Sequence, residues 1–320
     1  MEDYWFIVFE NLISPRDFRS LGLTCKSALL KLQRHSDKLK NSRHLERLLR
    51  LFPDKPWNFE WLSLNRNITW EIVQQNPDKP WDYKWLTLNP NITWEIIQQN
   101  PDESWMYSYF SMNPNITSTI IQQNPTYWND NWLSVNPSIA WGIIQQNPDK
   151  QWNYSNLSKH VSWDVVKQNP DKPWSYTQLS LNTNITWNII QRNPHKPWNY
   201  AYLSVNSNIT WEIILQNPDK LWDYTYLSLN PNITMEIVLQ NPDKNWDYDY
   251  LSVNPNITWD IIQQNSDKPW NYGYLSQNPN ITWEIVKQNP DKPWDWNRLS
   301  QNTFSPKNYN PYFDHILNYI

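Results

Sequence analysis

Apolar and polar positions recur along most of the chain with a period close to 24 residues. One tryptophan series runs Trp57, Trp81, Trp105, Trp128, Trp152, Trp174, Trp198, Trp222, Trp246, Trp270, Trp294. Its spacings are 24, 24, 23, 24 and 22, and then 24 five times. A second series runs Trp70, Trp94, Trp141, Trp163, Trp187, Trp211, Trp259, Trp283, with Ser118 and Met235 in its two gaps. The unit reads Asn-Pro-Asp-Lys-Pro-Trp-(Asp/Asn)-Tyr-x-(Trp/Tyr)-Leu-Ser-x-Asn-Pro-Asn-Ile-Thr-Trp-Glu-Ile-(Ile/Val)-Gln-Gln. About ten copies and a partial eleventh cover 53–302. A fixed period in this range is the signature of stacked repeats.

Each unit predicts two short helices. In the copy from Pro77, Asp78 or Lys79 is placed to cap, with Pro80 in the first turn, where its missing N–H is harmless. Trp81, Trp85 and Leu88 follow at helical spacing, and Pro90 stops the helix by disfavouring α at Asn89. In the second helix Thr93 is the N-cap and Glu95 sits in the first turn, where the helix dipole favours an anion. Ile92 and Ile97 hold the positions of a hydrophobic staple, and Pro101 ends the element. Helices of about two turns do not stand alone in water. The expected fold is therefore all-α, a solenoid in which each unit is stabilised by its neighbours. At about 8–10 Å per unit, eleven units make a body on the order of 100 Å long. A β-solenoid is the rival, since Ile-Thr-Trp has strand propensity; two prolines per unit and the capping pattern favour helices. Leu45, Leu48, Leu49 and Phe52 read as a degenerate second helix before the array. Tyr312, Phe313, Ile316 and Ile320 read as a cover for its last unit. The division expected is a helical domain over 1–48, the array over 49–302 and a C-terminal cap over 303–320.

Composition narrows the classes. The chain of 320 residues holds 24 Trp, 25 Pro and only 3 Gly. Trp at that density argues against disorder. Scarce glycine weighs against hairpin-rich β folds and excludes Gly-rich phosphate loops. Residues 1–50 carry ten Lys/Arg against six Asp/Glu, while 51–320 carry seventeen against twenty-five. An acidic array disfavours nucleic acid as a ligand. Cys25 is the single cysteine, so no internal disulfide forms, which fits a reducing compartment. The start lacks the basic n-region of a signal peptide, and no run approaches a membrane span. The expectation is a soluble cytoplasmic protein, with no membrane partner and no cofactor.

The first fifty residues differ in kind. Ser14-Pro15-Arg16-Asp17 is a helix start, with Ser14 the cap and Pro15 at the first position. The stretch Val8-Phe9-Glu10-Asn11-Leu12-Ile13-Ser14-Pro15-Arg16-Asp17-Phe18-Arg19-Ser20-Leu21-Gly22-Leu23-Thr24-Cys25-Lys26 resembles an F-box. Pro15-x-Asp17-Phe18 and Leu23-Thr24-Cys25-Lys26 carry the likeness, while Asp3-Tyr4-Trp5 stands where that family opens on Leu-Pro. The resemblance implies docking to the Skp adaptor of a cullin-RING (SCF-type) ubiquitin ligase. The residues it implies are Phe9, Leu12, Ile13, Pro15, Asp17, Phe18, Leu21, Leu23, Cys25 and Lys26. The array in turn is similar to Trp/Asn-rich repeat proteins of large amoebal DNA viruses, which implies a host cytoplasm.

Candidate chemistry is sparse. The histidines His35, His44, His160, His195 and His315 have no metal-like spacing. Asp78 with Asp82 recurs as Asp219 with Asp223 and as Asp243 with Asp247. Carboxylates that repeat with the unit read as caps rather than as a catalytic pair or a cation site. The recurring Asn-Ile-Thr, formally a glycosylation sequon, reads as a turn followed by a cap. Near-constant Trp spacing reads as packing between units. The positions that vary inside the constant frame are more informative. The fourth residue after the first Trp is Trp61, Trp85, Tyr109, Trp132, Asn156, Gln178, Tyr202, Tyr226, Tyr250, Tyr274 and Arg298 in turn. Its aromatic members either line an extended binding surface or are partly buried between adjacent first helices. The function these features suggest is a non-enzymatic adaptor, with the Skp adaptor and a target protein as partners. The alternative is a repeat scaffold without a ubiquitin link.

Overall fold

The structure, a computed structural model, describes residues 49 and 51–304. The chain divides into two units, Met1–Pro53 and Asp54–Ile320. The second is the array, and its described residues fold only into helices and turns. The F-box-like residues and the expected cover at Tyr312, Phe313, Ile316 and Ile320 lie outside the described residues.

The first helix of each unit starts later than the sequence predicts. Tyr83–Leu88 is capped by Asp82, whose side chain accepts from Trp85 N–H. Asp78 is instead an exposed partner of Lys79. The reason is chemical: Asp, Asn or Ser stands at the Asp82 position in ten of the eleven units, and these side chains are the strongest caps. Met106 is the exception and makes no side-chain cap bond to Tyr107–Phe110. Trp81 precedes the helix and donates from Nε1 to the Asn76 carbonyl at 2.9 Å. The second helix starts as expected, with Thr93 capping Trp94–Gln99 by accepting from Ile96 N–H. Ile92 and Ile97 are both fully buried.

The array closes on itself. Phe59–Leu64 packs on Tyr83–Leu88, and Trp296–Gln301 packs on Phe59–Leu64 in the same way. Each contact between neighbouring units recurs where the last meets the first. Ser63 Oγ accepts from Asp82 N–H at 3.0 Å, and Ser300 Oγ accepts from Asn58 N–H at 3.0 Å. Asn89 Nδ2 donates to the carbonyls of Ser63 and Asn65 at 2.8 and 3.0 Å. Asn65 Nδ2 donates likewise to those of Ser300 and Asn302 at 2.8 and 3.2 Å. Trp259 meets Trp294 at 6.0 Å between ring centroids, and Trp283 meets Trp57 at 5.9 Å. Lys292 lies over Tyr272 and Lys55 over Trp296. The expected rod of about 100 Å is thus a ring of eleven units, in which eleven first helices spaced about 8–10 Å apart form a circle about 30 Å across between opposite axes. Thr303 and Phe304 keep the same register. The Thr303 carbonyl accepts from Asn67 as that of Arg66 accepts from Asn91.

Two polar ladders run around this ring. The Ser/Thr at each Ser63 equivalent is fully buried. In ten units its hydroxyl donates to the carbonyl four residues earlier in its own helix, and in all eleven it accepts an N–H from the next unit. The Asn at each Asn65 equivalent closes two carbonyls of the unit before it. Buried amides of this kind are tolerated because their hydrogen bonds are satisfied. The recurring Asn-Ile-Thr asparagine also bonds back to the unit before it: Asn91 Nδ2 donates to Arg66 and Ile68 carbonyls at 2.7 and 2.6 Å.

The irregular stretch at 124–161 leaves the ladders intact. One residue is lost before Trp128, whose Nε1 donates to the Ile121 carbonyl instead of to an Asn carbonyl. Where the other ten units have Asn, the unit at Tyr154–Leu157 has His160, with Nε2 3.0 Å from the Ser134 carbonyl. The proton is therefore on Nε2. Burial pushes this imidazole below its ordinary pKa, with the Lys159 charge adding to that and the Ser134 bond opposing it. A depressed folded-state value means that the unfolded chain takes up the proton first as the pH falls. The associated stability is full above the unfolded pKa of about 6.5 and is lost as pH drops from there toward the folded value. Thermal melting followed by circular dichroism should show Tm falling between about pH 7 and pH 5.5. The fall should be smaller in a His160→Asn variant; an unchanged pH dependence would assign the effect to other groups.

Candidate functional site

The closest helix packing in the array is between successive first helices. In a closed ring the more tightly spaced layer is the inner one, so the second helices form the outer layer. The Trp61 column lies on the third residue of each first helix. Its rings approach one another at 6.0 Å for Trp61–Trp85 and 6.5 Å for Trp85–Tyr109. The separations are 4.2 Å for Tyr109–Trp132, 5.8 Å for Tyr202–Tyr226 and 6.5 Å for Tyr226–Tyr250. These are shorter than the roughly 8–10 Å between packed helix axes. The side chains therefore touch from one first helix to the next within each run.

The column forms two arcs. Trp61, Trp85, Tyr109 and Trp132 make the first, and Tyr202, Tyr226, Tyr250 and Tyr274 the second. All are half-buried except Trp85, which is buried. Asn156 and Gln178 separate the arcs on one side. On the other, Arg298 lies over the Tyr274 ring at 4.0 Å. In the first arc Trp85 Nε1 donates to Glu60 Oε1 at 2.8 Å, and Lys84 lies over both Trp85 and Tyr109. In the second arc burial, followed by the neighbouring phenols, raises the Tyr226 and Tyr250 hydroxyls above their ordinary pKa. They remain neutral donors at physiological pH. The interplanar angle is 29° for Tyr202–Tyr226 and 10° for Tyr226–Tyr250. The faces are therefore turned toward one another along this arc. Comparison with known protein families, with curated proteins and with solved structures gives no match.

Of the two readings of this column, partial burial between adjacent first helices is what the rings show within each arc. Sequence reasoning missed its other half. Leu64 and Leu88, with Met112, pack with Trp61, Trp85 and Tyr109 in a single cluster. The signal was present, since residues three apart on a helix share a face. No group of His, Cys, Asp and Glu that could hold a metal ion occurs among the described residues. Asp82, Asp223 and Asp247 cap helices, whereas Asp219 and Asp243 pair with Lys220 and Lys244. No helix among the described residues is long and apolar enough to cross a membrane.

Proposed function

We propose that the ring is a non-enzymatic protein-binding module whose inner aromatic arcs hold a target segment. In this reading residues 4–40 couple it to the Skp adaptor of a cullin-RING ubiquitin ligase. The observation that supports target binding is the run of eight half-buried or buried aromatic side chains in two arcs along the first helices, the first arc packed with Leu64, Leu88 and Met112. Rigid aromatic side chains give large contact area at low entropic cost, and Tyr, Trp and Arg dominate the energetics of protein interfaces. The F-box-like residues support the ubiquitin link.

The two halves are tested separately. Immobilised full-length chain should retain the Skp adaptor, and a chain lacking residues 1–48 should not. If the full-length chain retains no adaptor, the ubiquitin link falls and a scaffold remains. For the ring, Tyr226→Ala with Tyr250→Ala should reduce captured target by about tenfold or more, in line with ~1–2 kcal/mol for an aromatic interface contact. Capture unchanged by that pair would remove the arcs from the interface.

A further inference from the structure

The outer layer carries exposed leucine at one place. The fifth residue of the second helix is Gln74, Gln98, Gln122, Gln145, Gln191 and Gln263 in six units, and Lys167 and Lys287 in two more. It is leucine only at Leu215 and Leu239, in two adjacent units. Both are exposed, at 60% and 48%. Leu221, in the loop after Trp211–Gln216, is 85% exposed where most units have proline. Beside Leu239, Met235 replaces the tryptophan of the second series. A cleft of about 670 Å³ opens there between Met235–Gln240 and Trp259–Gln264, with Met235, Glu236, Leu239 and Ile261 among its walls.

The face is also acidic, as are the second helices Trp70–Gln75 and Trp94–Gln99; what it adds to that charge is the exposed leucines. Glu212, Glu236 and Asp260 stand in the first turns of Trp211–Gln216, Met235–Gln240 and Trp259–Gln264, and these three helices contain no Lys or Arg. The loop lysines Lys220, Lys244 and Lys268 each pair with the aspartate before them, at 2.7, 2.9 and 3.0 Å, and add no net charge. The surface therefore offers exposed aliphatic groups, an apolar-floored cleft and three carboxylates.

We infer that this outer face is a second docking site, separate from the aromatic arcs, for a basic amphipathic helix of a partner protein. One aliphatic side chain of that helix enters the cleft beside Met235. Others cover Leu215 and Leu239, and its Lys or Arg residues meet Glu212, Glu236 and Asp260. Charge complementarity selects the sign of the partner and the leucines fix its position.

The test uses the full-length chain and two fluorescein-labelled peptides with leucine at helical spacing, one carrying Lys on its polar face and one Glu. Fluorescence anisotropy at about 150 mM salt keeps long-range attraction screened. The Lys peptide should bind the wild type, and the Glu peptide should not. Leu215→Gln with Leu239→Gln, which restores the residue used by other units and so keeps the fold, should weaken binding at least about tenfold. Met235→Trp, which fills the cleft, should weaken it also, while Tyr226→Ala with Tyr250→Ala should leave it unchanged. Equal affinity for the Gln variant would show adhesion by charge alone and overturn the site, as would failure of the Lys peptide to bind or equal binding of the Glu peptide. A wild-type dimer that becomes monomeric in the Gln variant, with no peptide bound by either, would assign the face to a second copy and overturn the proposal too.

Discussion

Asn65→Ala should destabilise the array by about 3–4 kcal/mol, as much as Asn254→Ala, although Asn65 stands near one end of the array and Asn254 well inside it. Asn254 donates to the Ser228 and Asn230 carbonyls and accepts from Asn256 N–H, at 2.9, 3.0 and 2.9 Å. Asn65 makes the same three bonds, but its carbonyl partners belong to Ser300 and Asn302, and it accepts from Asn67 N–H. Alanine leaves these buried groups without partners, and the cost of an unmade bond exceeds the net gain of a made one. In an open array Asn65 would face solvent at the end of the stack, and its loss would cost little. Denaturant midpoints of the two variants decide the matter. Equal shifts are expected, and a near-neutral Asn65→Ala would show that the ends do not meet.

Trp57→Ala should be as severe, at about 3–5 kcal/mol, the usual cost of removing a buried aromatic side chain. Trp57 is 8% exposed. It contacts Trp283 at 5.9 Å and Trp296 edge-on at 5.4 Å. A double-mutant cycle with Trp283→Ala isolates the contact across the junction, and about 0.5–1.5 kcal/mol of coupling is expected. Additive effects would place the two rings apart in solution.

The local fold was legible because its grammar is local. Thr93, Pro90 and the Ile92–Ile97 pair specify their elements within a few residues. The start at Asp82 was misread because Pro80 and Asp78 mimic a helix opening, while the side chain that reaches the third N–H is Asp82. Closure was not legible in any one unit. It depends on a small rotation between units, set by how far the outer Trp contacts hold the second helices apart, and summed over eleven copies. The aromatic column stood out through its variation within a constant frame. The ring-to-ring contacts along it arise from the stacking of first helices, and so could not be read from one unit.

The junction is built from the same bonds as every internal interface, so nothing in its chemistry distinguishes the two ends of one chain from the ends of two. A chain caught before closure presents a head and a tail that fit any other copy. Interfaces of this head-to-tail kind give rings when the rotation closes and filaments when it does not. Closure within one chain has the advantage of tethering: linked ends meet at an effective concentration on the order of millimolar, above that of separate chains. Crowded synthesis or refolding at high concentration shifts that balance toward shared rings and polymers.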